Sequence, residues 1–336
     1  MGAVIVGAEI TSIRSPRVKA ARQLAKRSFR QGARSFLAEG PQAVREALGM
    51  RETPDAGPTH CGTVTLGAIG SSGARGSDGT GGSIGPGGSR GAGAAAGPGG
   101  GAGGPVVAEL FVTGAAWSRY AELATEAAGQ GAAVHAVSGE VMAELAQTVT
   151  PQGVLAVCRF VDVPLEQLVA AAPRLVVLLA NVRDPGNAGT VLRTADAAGA
   201  DGVIFSAASV DPYNSKCVRA SAGSLFHLPV VVGPPLRQAV AALSRAGVRI
   251  LAAEGSAPLE LDELESEGGL RRPTAWLFGN EAWGLPGDLL ALADEAVAVP
   301  IYGRAESLNL AAAAAVCLYA SARAQRISPP PGRLPV

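Results

Sequence analysis

Leu175-Val176-Val177-Leu178-Leu179-Ala180 is an unbroken apolar run, and it leads directly into Asn181-Val182-Arg183-Asp184-Pro185-Gly186-Asn187-Ala188-Gly189-Thr190-Val191-Leu192-Arg193-Thr194-Ala195. A short apolar run bounded by turn residues reads as a strand buried on both faces. The polar, glycine-punctuated stretch after it reads as a loop that opens into a helix. Two more stretches of this kind lie further on: Phe278-Gly279-Asn280-Glu281-Ala282-Trp283-Gly284-Leu285-Pro286 and Val299-Pro300-Ile301-Tyr302-Gly303-Arg304-Ala305-Glu306-Ser307-Leu308-Asn309-Leu310. Each sits where a strand ends. Ligands of open α/β sheets bind outside the carboxyl ends of the strands, so the three loops point to one shared site.

Around these loops, strands are expected near Leu175–Ala180, Gly202–Phe205, Pro229–Val232, Arg249–Ala252, Thr274–Phe278 and Ala296–Val299, with helical stretches between most of them. That alternation predicts a mainly parallel sheet with helices on both faces, ending in a helix from Leu308 to about Arg323. Before it, residues 10–160 read as a smaller α/β domain, with strands at Ser35–Ala38, Val107–Val112, Ala133–Val137 and Val154–Phe160. Residues 51–104, built of Gly, Ser, Ala and Pro, interrupt that domain and are expected to be a flexible, dispensable insertion. Residues 161–173 are expected to be a linker, 174–326 the second domain, and 327–336 a Pro-rich tail. The glycine run Gly91–Gly97 has no strand before it, so it is not read as a nucleotide loop.

Lys+Arg 28 balances Asp+Glu 28, so net charge selects no partner; 48% hydrophobic residues permit a substantial core. The four cysteines, Cys61, Cys158, Cys217 and Cys317, are far apart, with no Cys-x-x-Cys. They read as free thiols of a reducing compartment, with no disulfide framework and no metal. No apolar stretch reaches the roughly 20 residues a membrane span needs, and the N-terminal charge order is wrong for a secretory signal. The chain is expected to be cytoplasmic, without a membrane partner.

Taken singly, the polar loop residues keep two readings each. Asn187 is a helix cap or a ligand contact. Arg193, on an otherwise apolar helix face, pairs with an acid or with an anionic ligand. Glu281 is a cap or a site residue, and Trp283 is core or a stacking platform. Ser307 and Asn309 introduce the last helix, but Asn309 interrupts an apolar run and should have a specific hydrogen-bond partner.

Together the three loops resemble the SpoU (TrmH) family of RNA ribose 2′-O-methyltransferases, within the SPOUT superfamily. Asn181 to Ala195 matches the pattern Asn-x-Arg-Asp-Pro-x-Asn-x-Gly followed by Arg-Thr-Ala. Gly279 to Leu285 matches Gly-Asn-Glu-Gly-x-Gly-Leu, with Ala282 where glycine is frequent, and Val299 to Asn309 matches the third motif. The resemblance spans about Leu175 to Arg323; residues 10–160 more weakly resemble the family's L30e-like substrate-binding domain. It implies a trefoil knot in the C-terminal parallel-sheet domain, a homodimer, and S-adenosylmethionine held around Gly279, Asn280, Val299, Ile301 and Leu308. It further implies that Asn187, Arg193, Glu281, Ser307 and Asn309 are the polar functional residues, acting on RNA without a metal. Large-subunit ribosomal RNA is the expected substrate, because structured RNA needs a recognition surface beyond the catalytic core; transfer RNA is the alternative. Free guanidinium has a pKa above about 12 and is a poor base, so Arg193 is expected to grip phosphate and stabilise alkoxide charge.

Eight basic residues lie between Arg14 and Arg34 with no acid among them. Lys19, Arg22, Lys26 and Arg30 recur at three- and four-residue spacing, which on one helix would form a stripe facing RNA phosphates, with Val18, Ala21, Ala25 and Phe29 turned elsewhere. Two other functions are weighed. A nicotinamide-dependent enzyme needs a G-x-G-x-x-G turn after its first strand, and the loop after Ala180 lacks it. A non-catalytic RNA-binding relative would not need to keep Asn187, Arg193, Glu281, Ser307 and Asn309.

Overall fold

The apolar runs Leu175–Leu179 and Thr274–Phe278 become adjacent inner strands of a parallel sheet. The structure, a computed structural model, describes residues 8–49, 105–280 and 283–326. Four strands form a first sheet: β1 (Ser35–Glu39), β2 (Val107–Thr113), β3 (Ala133–Val137) and β4 (Val154–Arg159), in the order β1-β4-β2-β3. β4 is antiparallel to β1 and β2, and β2 is parallel to β3. Seven strands form the second: β5 (Leu175–Leu179), β6 (Gly202–Phe205), β7 (Val230–Val232), β8 (Arg249–Ala253), β9 (Leu259–Glu260), β10 (Thr274–Phe278) and β11 (Glu295–Ala298). Their order is β7-β6-β5-β10-β8-β11-β9, and every pair is parallel. The α/β class with a second, smaller α/β lobe is as the sequence predicts. β9, only two residues long at the sheet edge, is too short to leave a periodic signal.

Alternate residues of β5 feed two cores, as strand pleating requires. Val177 and Leu179 pack with Ala188, Val191 and Leu192 of the helix Pro185–Ala198 and with Ala314 and Leu318 of the helix Leu310–Arg326. Val176 and Leu178 pack on the other face with Ala239, Val240 and Leu243 of the helix Leu236–Arg245. β5 and β10 run in register, Leu179 opposite Phe278. The first and second loops therefore leave the sheet side by side.

The expected linker is more structured than its sequence suggests. It contains the helix Leu165–Ala170, whose Leu165 and Leu168 are buried against the second core. Asp162 bridges Val230 of β7, so the chain joins the second sheet before that helix begins. Both sheets belong to one compact unit. Tyr213, from the second lobe, stacks on Phe160 with 3.8 Å between centroids and donates its hydroxyl to Asp162 at 2.8 Å.

The basic stripe is where sequence and structure part. The segment forms two helices, Pro16–Gln23 and Arg27–Ala33, not one. Lys19 and Arg22 lie on the first, Lys26 stands just before the second without a side-chain capping bond, and Phe29 is exposed. Arg30 is buried: Nε and Nη2 donate to Asp211 at 2.9 and 2.7 Å, and Nη1 donates to the carbonyls of Leu24 and Ala25. Those carbonyls lie where the first helix stops, so Arg30 satisfies acceptors that the break leaves open. Arg30 is therefore a structural ion pair between the lobes, not a phosphate contact. Arg22 also has an acid, Glu144. Both acids are far away in sequence, so the local run of residues does not reveal them.

The insertion at 51–104, the tail at 327–336, Cys61 and Glu281 lie outside the described residues. The other three cysteines are buried free thiols, and burial pushes the Cys317 thiol up to about 12. Among the described residues no helix is long and apolar enough to cross a membrane.

Candidate active site

The first loop begins with strain. Asn181, directly after β5, has φ +59°, a left-handed conformation that costs a non-glycine residue energy. Two buried serines after β6 hold it there. Asn181 N–H donates to Ser206 Oγ at 3.1 Å and Val182 N–H to Ser209 Oγ at 3.2 Å, while Ser209 Oγ donates to the Leu179 carbonyl at 2.8 Å. Sequence reasoning missed both serines: in Ser206-Ala207-Ala208-Ser209 they read as ordinary turn residues.

Asp184, not Asn187, caps the helix Pro185–Ala198, accepting from Asn187 N–H at 2.8 Å. Lys216, 2.7 Å away, foremost, together with that N–H bond, holds the Asp184 carboxyl below its ordinary range. Because Asp184 does the capping, the Asn187 side chain can reach elsewhere. Its Oδ1 accepts from Asn309 Nδ2 at 3.1 Å, joining the first loop to the third. Gly189 has a packing reason. A Cβ there would lie 2.4 Å from the Cys217 carbonyl oxygen, so it sets the approach of the helix Ser215–Ser221.

In the second loop, Asn280 is buried and donates from Nδ2 to the Asn181 carbonyl at 2.9 Å. Its main chain exchanges two bonds with Gly284, both 2.9 Å. Gly279 is needed for this closure, since a Cβ there would meet Gly284 backbone at 2.4 Å. Gly279→Val would collapse the loop itself, so loss of ligand binding in that variant would not report a ligand contact. Trp283 is not core: it is 69% exposed, with the Arg183 guanidinium 4.8 Å above its ring.

In the third loop, Val299 packs against the core while Ile301, Ser307 and Leu308 are exposed. Among the described residues, no main-chain group from Val299 to Leu308 pairs with another main-chain group. Asn309 does two things at once. Its Oδ1 caps the last helix by accepting from Ala311 N–H at 2.9 Å, and its Nδ2 reaches Asn187. The structure thus brings Asn187, Gly279, Asn280 and Asn309 together; Lys19, Arg22, Lys26 and Arg30 belong to the other lobe.

Arg193 lies two turns into the helix that Asp184 caps and is exposed. Among the described residues no acid pairs with it. The acid one turn on, Asp196, is committed to His227, whose Nδ1 lies 2.7 Å away. His227 Nε2 meets Glu46 of the helix Pro41–Gly49 at 3.1 Å. The Asp196 bond first, then the Glu46 bond, raise the imidazole to about 9 against partial burial. A raised folded-state pKa gives stability that is complete below about 6.5 and lost as pH rises through about 9. Melting temperature should therefore fall across that window, and His227→Gln should flatten the fall. An unchanged profile in His227→Gln would show that the bridge contributes nothing.

Comparison with known proteins agrees with this geometry. Residues 174–319 match the family model for SpoU rRNA methylases, and residues 102–164 match that for RNA 2′-O ribose methyltransferase substrate binding. The chain is 40% identical over 192 residues to the 23S rRNA (guanosine(2553)-2′-O)-methyltransferase RlmP of Bacillus subtilis, covering 56% of this chain and 72% of that one. The chain belongs to the SpoU rRNA methylase family. It is also 32% identical over 197 residues to the RlmB enzyme of Bordetella pertussis, covering 57% of this chain and 79% of that one. The AdoMet-bound rRNA methyltransferase of Sinorhizobium meliloti superposes with a TM-score of 0.68 at 27% identity, over 95% of this chain and 98% of that one. Within the SpoU family's pattern, the loops that sequence singled out are the ones the fold assembles.

Proposed function

We propose that this protein transfers a methyl group from S-adenosylmethionine to a ribose 2′-hydroxyl of RNA, in large-subunit ribosomal RNA. The observation that carries the reading is Arg193: an arginine with no acid partner among the described residues, on the helix whose start is bonded to the third loop. A guanidinium with no acid partner among the described residues, exposed on the helix that the first loop opens into, is suited to an anionic substrate. The large-subunit assignment draws support from the names of the similar enzymes in Bacillus and Bordetella.

The third loop fits the cofactor. Its unpaired main chain offers donors and acceptors for an adenine and a ribose, and Ile301 and Leu308 offer apolar cover. Gly279, Asn280, Val299, Ile301 and Leu308 would hold S-adenosylmethionine, which when bound supplies an electrophilic methyl group. Arg193 grips the phosphate beside the target ribose and stabilises negative charge as the hydroxyl passes its proton to solvent water. Asn187 and Asn309, bonded to each other, hold the first and third loops at fixed separation; Ser307, exposed on the third loop, adds a polar group, and Glu281 is assigned a polar role in the same reaction. Orientation of the hydroxyl supplies much of the remaining rate. The chain is knotted through the loops after β10 and β11 and works in the cytoplasm as a homodimer. Val316 and Tyr319, exposed on the last helix, supply part of the dimer face.

Calorimetry should show S-adenosylmethionine binding and no NAD binding. Mapping ribose methylation in cells with and without the gene should lose one methyl group from large-subunit rRNA. NAD binding in place of S-adenosylmethionine would overturn the enzyme assignment; a lost tRNA methyl with rRNA unchanged would overturn the substrate.

A further inference from the structure

The first lobe has a cavity of its own, away from the three loops. About 620 Å³ in volume, it lies at the carboxyl ends of the parallel pair β2 and β3, against the turn Pro151–Gly153 that leads into β4. Tyr120 and Met142 supply apolar wall, and Glu9, Arg119 and Gln152 supply polar groups. Glu9 and Arg119 have opposite charges and line the same cavity, yet they do not pair with each other. Neither has a side-chain partner among the described residues. An unpaired acid and base across one cavity suit a ligand with an anionic end and an N–H-bearing end.

We propose that this cavity takes an unstacked guanine nucleotide of the RNA substrate, a claim that rests on the function proposed above. Tyr120 offers the face on which a base stacks, as aromatic side chains do for single-stranded RNA. A carboxylate only accepts hydrogen bonds, and the Watson–Crick edge of guanine presents two adjacent donors, N1–H and N2–H, to Glu9. Arg119 takes the phosphate. A volume of several hundred Å³ is that of a ligand site rather than a packing defect. The helix Pro16–Gln23, which carries Lys19 and Arg22, packs on the helix Gly139–Leu145 that contributes Met142. Basic residues for the neighbouring phosphates are therefore close by.

The chain has three methionines, so a methyl-labelled methionine spectrum of the full protein is simple, and Met142→Leu assigns the relevant signal. GMP should move the Met142 signal saturably, with AMP, CMP and UMP weaker. Glu9→Gln should erase the preference for GMP. Tyr120→Ala should raise KM for RNA by about tenfold or more, with kcat and S-adenosylmethionine affinity unchanged. If no nucleotide moves Met142, or if all four move it equally in the parent protein, the proposal is overturned. If GMP moves it but Tyr120→Ala leaves the KM for RNA alone, the cavity serves a free nucleotide and the RNA assignment is overturned. Failure of S-adenosylmethionine to bind the same sample would count against the methyltransferase reading separately, because the Met142 signal does not depend on that site.

Discussion

Arg193→Ala should lose methyl transfer by about a hundredfold or more while melting at the parent temperature. The two halves of that expectation have different causes. The rate falls because a guanidinium aimed at developing negative charge acts mainly in the transition state, and removal of one such group costs about two to three orders of magnitude. Stability holds because Arg193 is exposed and, among the described residues, has no acid to leave behind; Asp196, its neighbour one turn on, keeps its bond to His227. Arg193→Lys should recover little, since an ammonium lacks the planar fork that meets two phosphate oxygens at once. Single-turnover rates with saturating RNA, alongside thermal melts, separate the effects. A variant that melts early yet keeps its specific activity would return Arg193 to a structural role. Asn187→Ala should behave differently. It removes the bond to Asn309 Nδ2, so it should loosen the third loop and weaken S-adenosylmethionine binding together with the rate.

The legible part of the fold is the part whose signal is local. Leu175–Ala180 and Thr274–Phe278 are apolar runs of strand length, and both become fully buried inner strands. Asn309 breaks an apolar run, and it has the specific partner this implies. What stays hidden depends on chain pairing across long separations. Ser206 and Ser209 matter only because β6 lies beside β5, where their hydroxyls reach the strained Asn181 backbone. Asn187 reads as a cap because it opens a helix; the cap is Asp184, three residues earlier, and only the third loop shows what Asn187 does instead. The linker is underrated for the same reason, since Leu165 and Leu168 acquire their burial from the second sheet.

Arg30→Ala should unfold the protein more readily and leave RNA contacts to its neighbours. The sequence offers Arg30 as the fourth member of a basic stripe, and spacing cannot separate it from Lys19, Arg22 and Lys26. The structure separates it by burial. Its loss would strand the Asp211 carboxylate, 7% exposed, without a counter-charge, and would leave the Leu24 and Ala25 carbonyls without a donor. Breaking a buried pair from one side costs about 3–5 kcal/mol, a fall of about 4–7 °C in melting temperature for a chain of this size. Asp211→Ala alone should be costly too, since it leaves the guanidinium buried and frees Tyr213 N–H, which donates to the same carboxylate at 2.9 Å. The double variant should lose less than the sum of the singles, because neither charge is then left unpaired. Changing Lys19, Arg22 and Lys26 to Gln should do the opposite: melting unchanged within a degree or two, RNA binding weaker, and its salt dependence flatter. An Arg30→Ala protein that melts normally but binds RNA with a flatter salt dependence would restore Arg30 to the stripe and make its contact with Asp211 incidental.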